Sequence, residues 1–165
     1  MSGADRGRLF LENAAKAAAG THAVSDTGDL LAALGRIVAT DSPVYCPGVT
    51  PIERAAAALF PNRVSDYAAA TVTVEEVFGA IAETGTLVCT SEGGRAVQAG
   101  LLPSHHVAIV RRDRIFDTLN DFFASVAAAP PTNVTLVTGP SRTADIELTL
   151  AIGVHGPERL DIILL

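Results

Sequence analysis

Three hydroxyls, one cation and two carboxylates break an otherwise apolar C-terminal third in the run TGPSRTADIEL, Thr138 to Leu148. A helix opening after Gly139 would leave backbone N–H groups that Ser141 or Thr143 can cap, with Asp145 in the first turn favouring the helix dipole. Capping leaves Arg142 unexplained, because a cation at the positive end of a helix is penalised unless something anionic lies nearby. Free N–H groups, Ser141, Thr143 and the Arg142 guanidinium together would cradle a phosphate or carboxylate, with Asp145 and Glu147 orienting the cradle.

A second polar group, Glu83-Thr84-Gly85-Thr86, precedes the apolar run Thr86 to Thr90, and Ser91-Glu92-Gly93-Gly94-Arg95 follows it. A five-residue strand spans roughly 17 Å, so Glu83 and Arg95 are expected at opposite ends. Glu83 reads as an exposed loop acid and Gly85 as a backbone bend. His105 and His106 open the strand-like run to Val110. Adjacent strand residues point to opposite faces, so the two imidazoles do not chelate one metal; one is structural and the other can face a site. His155, before Gly156, suits a helix C-terminus.

These residues need elements to hold them. The sequence predicts helices over residues 8–19, 30–39 (capped by Asp26 or Thr27), 51–60 (opened by Pro51), 117–128 and 141–152. Strands are predicted at residues 21–25, 43–46, 86–90, 106–110, 133–137 and 160–164, whereas residues 68–82 mix β-branched residues with a helical spacing and stay open. Strand, helix and strand over the last thirty or so residues match a βαβ unit. The expected fold is α/β, a three-layer α/β/α arrangement around a mainly parallel sheet, with ligands at the carboxyl ends of the strands.

Composition narrows the function classes. The 165 residues are 48% hydrophobic and suit a single domain, 1–165, built from small aliphatic side chains. A net charge of -6, with cations gathered only at Arg111, Arg112 and Arg114, argues against nucleic acid. Cys46 and Cys89 lie apart in apolar runs, with no metal-ligand spacing, so neither a zinc site nor an iron–sulfur cluster is expected in this chain. Charges interrupt the N-terminal segment where a signal peptide would be apolar, and nothing approaches ~18 consecutive apolar residues. A cytoplasmic protein without a membrane span is expected.

The segments AIAETGTLV (81–88 and its flank), LLPSHHVAIV (101–110) and TGPSRTADIELTLAIGVHGPERLDIILL (138–165) together resemble the lactate-utilisation (LutC/YkgG) family, whose shared unit is the LUD domain. The similarity runs through the chain in order and is strongest over its last two-thirds. It implies a fold of the NagB/RpiA/CoA-transferase-like kind. It also implies a part in oxidising L-lactate to pyruvate, as an accessory or catalytic subunit beside two partner proteins that carry the iron–sulfur clusters. Within the family pattern Glu83, Thr84, Gly85 and Thr86 match the ETGT motif, and Gly139, Ser141, Arg142, Thr143, Asp145 and Glu147 match GPSRTADIE. His106 matches the histidine after the Leu-Pro pair. Typical members carry a longer N-terminal arm, which bears on assembly, and TVTVEEVFGAI is less Gly-rich than the family pattern.

Three functions follow. The first is a lactate-oxidation subunit that binds an anionic metabolite, or a partner's carboxylate, at the helix start after Gly139. The second is an independent enzyme of the same fold. Ser91-Glu92-Gly93-Gly94 resembles the turn that carries the nucleophilic glutamate of CoA transferases, so Glu92 could form an acyl intermediate; in a sugar-phosphate isomerase, Glu83 or Asp145 would be the general base. The third is a domain that only folds and associates.

Overall fold

Ser2 starts the first helix, α1 (Gly3–Lys16), by accepting a hydrogen bond from the Asp5 backbone N–H, and Phe10 and Ala14 form its buried stripe. The short strand β1 (Gly20–Ala23) follows. Asp26, as expected, caps α2 (Thr27–Ile37), which buries Leu30, Ala33 and Leu34. After β2 (Val44–Tyr45), Thr50 and Glu53 form a reciprocal capping box on α3 (Pro51–Ala57), with Pro51 in the first turn. The chain continues through β3 (Arg63–Val64), β4 (Val72–Glu76), β5 (Gly79–Ile81), β6 (Thr86–Thr90), β7 (His105–Val110) and β8 (Ile115–Phe116). Next come α4 (Leu119–Val126), β9 (Val134–Val137), β10 (Arg142–Ala144), β11 (Leu150–Ile152) and β12 (Arg159–Leu164). This computed structural model describes residues 2–144, 150–152 and 156–165.

Six strands, in the order β1-β12-β7-β4-β2-β3, form one wholly parallel sheet. Its central strands are buried on both faces, which explains the near-continuous apolar run of Leu160 to Leu164. One face, through Val74, Val107, Ile109 and Ile163, packs under Leu30 and Leu34 of α2 and Ala56 of α3. The other, through Ala108, Val110, Leu160, Ile162 and Leu164, meets Phe10 and Ala14 of α1 and Ala80 and Leu87 of a second sheet. The parallel sheet therefore has helices on both faces, as the α/β reading requires.

The second sheet has the order β8-β5-β6-β9 and mixed directions. Phe122 of α4 covers its far face against Ile81 and Val88. The segment left open between residues 68 and 82 supplies one strand to each sheet. Alternation decides how β4 is used: Val72 and Val74 join the α2/α3 side of the parallel sheet, whereas Thr73 and Glu75 point to the opposite face.

Where a helix is expected over residues 141–152, the residues described at its two ends are strands instead. Arg142 to Ala144 and Leu150 to Ile152 are strands, paired antiparallel with Arg142 opposite Ile152 and Ala144 opposite Leu150. The sequence carries the reason: Ile146, Leu148, Leu150 and Ile152 recur every second residue, a period of two rather than 3.6. Capping residues at the front of the segment gave it the look of a helix start. Residues 145–149 and 153–155 lie outside the described residues, and with them Asp145, Glu147 and His155.

Candidate functional site

A cleft of about 150 Å³ opens at the carboxyl ends of β2 and β4, where ligands bind in open parallel sheets. It is lined by Thr50, Glu76, Val77, Phe78, Thr90, Glu92, Arg95 and Arg114. Arg114, on the turn before β8, lies over the Phe78 ring at 5.6 Å from its centroid. At ~30 Å³ per displaced water the cleft exchanges about five waters, room for a ligand of a few carbons. Two guanidiniums, two carboxylates and two threonines give it both donors for an anion and acceptors for a hydroxyl.

Behind the cleft lies a buried layer of charge. Glu53 is fully buried; its Oε1 accepts from Arg95 Nη1 at 2.7 Å and from the Glu76 backbone N–H at 2.8 Å. Its Oε2 accepts from the N–H groups of Val49 at 2.7 Å and Thr50 at 3.2 Å. Arg95 Nη1 also lies 3.9 Å from Glu75 Oε2. On the far side of Glu75, Oε1 is 3.1 Å from His106 Nε2, but off the line a hydrogen bond needs. Both ring nitrogens of the fully buried His106 are therefore without a hydrogen-bond partner among the described residues. The layer's field reaches its neighbours. Burial, then Glu75 and Glu53, raise the Tyr45 phenol; burial and then Glu53 push the Cys46 thiol up to about 12; burial, then Glu75, push the Cys89 thiol up as well.

Comparison with known proteins identifies the architecture. The LUD domain family profile matches residues 61–165, more than half of the chain. The chain belongs to the LUD domain family. It is 40% identical over 89 residues to a lactate utilization protein C of Deinococcus radiodurans, covering 51% of this chain and 41% of that protein. With the protein of that name from Macrococcus caseolyticus the identity is 35% over 101 residues, 58% of this chain and 43% of the relative. The chain thus spans roughly two-fifths of the length of these curated relatives in the matched region. The crystal structure of a DUF162 family protein from Deinococcus radiodurans superposes with a TM-score of 0.77 at 24% identity, over 99% of this chain and 98% of that one, and shares the fold.

The LUD domain brings the two family motifs together, but away from the cleft. β6 pairs with β9, Leu87 opposite Val137, so Thr86 meets Thr138 and a chain of hydroxyls runs from Thr84 to Thr86 to Thr138 at 2.7 Å per step. Gly85 and Gly139 both take positive φ; a Cβ on Gly85 would strike the backbone of α1 at Ala14, and one on Gly139 would strike the backbone of Ala17, the C-cap of α1. The Glu83 carboxylate is exposed, yet it accepts from the Leu119 N–H at the start of α4, and Asn13 of α1 donates to the Ala82 and Glu83 carbonyls. These contacts give Glu83, Gly85 and Gly139 a place in docking α1 and α4, while Thr84 and Thr86 tie the start of β6 to Thr138.

Of the remaining expected residues, Glu92 lines the cleft at the carboxyl end of β6. His106 lies behind the cleft instead of lining it. Ser141 donates its N–H to the Pro157 carbonyl at 2.8 Å, and Arg142 is exposed at the head of β10. Thr143 follows Arg142 in that strand. Because this segment is a strand, the anion cradle built on a helix N-terminus has no helix to supply its N–H groups. Sequence reasoning passed over Thr50, Glu53, Glu75 and Arg114. The signal for Glu75 was a charge inside the strand-forming run Val72-Thr-Val-Glu75; Glu53 was hidden because Thr50-Pro-Ile-Glu53 is a sufficient capping box by itself.

Proposed function

We propose that this LUD domain serves the oxidation of L-lactate to pyruvate, as a subunit working beside two iron–sulfur proteins, and that its cleft holds a small carboxylate such as lactate. The observation that carries the reading is the pairing of Arg95 and Arg114 in a cleft of about 150 Å³ at the carboxyl edge of the parallel sheet. A hydroxy acid matches the mixed lining: its carboxylate meets the guanidiniums, and its hydroxyl donates to Glu92 or Glu76. The relatives named lactate utilization protein C support the metabolic assignment. Two separated cysteines cannot supply the four thiolates of a cluster, so electron transfer is assigned to the partners.

Titrating L-lactate into the protein while following backbone amide shifts tests this reading. Saturable shifts at Thr50, Glu92 and Arg95 are expected. Shifts confined to residues outside the cleft, or none at millimolar lactate, would remove the carboxylate assignment. Co-purification of the chain with its iron–sulfur partners from lactate-grown cells tests the subunit role.

A second reading has one specific observation behind it: Glu92 is exposed and lines the same cleft, where a nucleophile could reach an acyl group. Hydroxylamine-sensitive acylation of Glu92 by an acyl-CoA would favour a transferase. The isomerase alternative has less to recommend it, since Glu83 is engaged at the start of α4 and does not line the cleft.

A further inference from the structure

Charge in the buried layer behind the cleft does not balance. Glu53 and Glu75 contribute two carboxylates and Arg95 one guanidinium, all largely removed from water. Arg95 sits closer to Glu53, at 2.7 Å, than to Glu75, at 3.9 Å, so Glu75 is the less compensated of the two. Glu75 therefore depends on a share of Arg95, and a buried carboxylate that loses its partner is strongly disfavoured unless it gains a proton. His106 is the nearest group able to hold one: its Nε2 lies 3.1 Å from Glu75 Oε1, and neither ring nitrogen has a hydrogen-bond partner among the described residues.

The surrounding elements leave few other places for that proton. The groups facing Glu75 and His106 are Glu53 from α3, Arg95 from the turn after β6, Tyr45 from β2, Cys89 from β6 and the Thr73 hydroxyl from β4. Tyr45 and Cys89 keep their protons at neutral pH, because burial and the field of Glu75 both raise them. Cys46, raised by burial and by Glu53, keeps its proton too. Thr73 donates to the Ala99 carbonyl at 2.6 Å. Gly100 closes the pocket over the pair, since a Cβ there would come within 2.8 Å of the His106 ring and 2.9 Å of Glu75 Oε1.

We propose that entry of a carboxylate into the cleft is coupled to the uptake of one proton from solvent by the Glu75–His106 pair. The coupling rests on the carboxylate reading of the cleft given above. Arg95 is the link. It lines the cleft and also balances the buried carboxylates, so an anion that draws on its guanidinium leaves Glu75 further uncompensated. A proton taken up by the Glu75–His106 pair restores the balance. Glu76, Glu92 and Arg114 face the cleft from its open side and set the field that the anion meets first. The cleft then takes up lactic acid in net terms, anion in front and proton behind.

Calorimetric titration of L-lactate, and of acetate as a second probe, into the intact chain at pH 7 in imidazole and in Tris, cationic buffers of different ionisation heat, measures the protons taken up per ligand bound. About one proton per ligand is expected, with affinity falling as pH rises, by at most roughly tenfold per pH unit. In His106→Gln and in Glu75→Gln the proton number falls towards zero, whatever the affinity. Two variants on different strands keep the test usable if one fails to fold. Lactate binding with identical heats in both buffers overturns the coupling and leaves the carboxylate site standing. Unchanged proton uptake in both variants also overturns it. Failure of both probes to bind overturns the site and the coupling together.

Discussion

His105 Nε2 lies 2.8 Å from Asp161 Oδ2 across the β7–β12 pairing, while His22 Nε2 on β1 lies 2.9 Å from the other oxygen of the same carboxylate. Arg159 adds a contact at 2.7 Å. One buried carboxylate thus joins three neighbouring parallel strands, on the face opposite to His106. Burial alone would push the Asp161 carboxyl up, but the hydrogen bonds from His105 and His22, and then Arg159, outweigh it and hold the group well below the usual carboxylate range. A depressed folded-state value stabilises the fold above the unfolded value of ~3.9, and that contribution is lost as pH falls towards the folded value. Urea unfolding at a series of pH values is therefore expected to show falling stability below about pH 4. Asp161→Asn should flatten this acid limb and lower stability near neutrality by about 3 kcal/mol. A wild-type slope retained in the variant would count against the assignment.

The buried Glu53 gives a second prediction. Its carboxylate receives three backbone N–H groups and one guanidinium nitrogen, so truncation leaves several buried donors without an acceptor. Glu53→Ala is expected to destabilise by about 3–5 kcal/mol in chemical denaturation. Glu53→Gln keeps an acceptor oxygen and should destabilise by less. Equal losses in the two variants would show that packing rather than hydrogen bonding matters at this position.

Much of this fold was legible in the sequence because local chemistry agreed with the final structure. Asp26 before Leu30, Pro51 before Glu53, and the apolar run from Leu160 mark elements that formed where expected. The failures have physical causes. At residues 141–152, cap-forming side chains mimicked a helix start, while the alternation of Ile146, Leu148, Leu150 and Ile152 held the stronger periodic signal. At residues 68–82 the choice between states depended on two sheets that no local window contains. The site was less legible still. Glu92 was marked by its glycine-rich turn, but Thr50, Glu76 and Arg114 reach the same cleft from α3, β4 and the turn before β8, and such convergence leaves no spacing pattern.

Gly85 supplies a prediction about how the ETGT motif works. Its φ is +67°, and a Cβ would clash with the Ala14 backbone nitrogen of α1. Neither strain nor clash can be relieved by a rotamer change, so Gly85→Ala is expected to displace α1 and to destabilise by more than ~1–3 kcal/mol. Hydrogen exchange should show faster exchange in α1 than in α2 for this variant. Gly94→Ala is the control: its φ is also positive, at +77°, but open space surrounds the added Cβ. It carries only the backbone strain, about 1 kcal/mol. If both substitutions act alike, close docking of α1 is not the reason for glycine in the motif.

Arg114 separates binding from folding. The side chain is exposed and its guanidinium rests on Phe78, so removing it leaves the core intact, with an expected stability change within about 0.5 kcal/mol. A charge-assisted hydrogen bond to a carboxylate contributes about 1.5–3 kcal/mol, so Arg114→Ala is expected to weaken lactate binding by roughly ten- to 150-fold. Arg114→Lys keeps the charge but loses the planar fork and the stacking on Phe78, and should recover only part of that loss. Affinities from amide-shift titrations, read beside melting temperatures, make the distinction. Full affinity in Arg114→Ala would move the anion onto Arg95 alone, and a fall in melting temperature matching the fall in affinity would make Arg114 a structural residue.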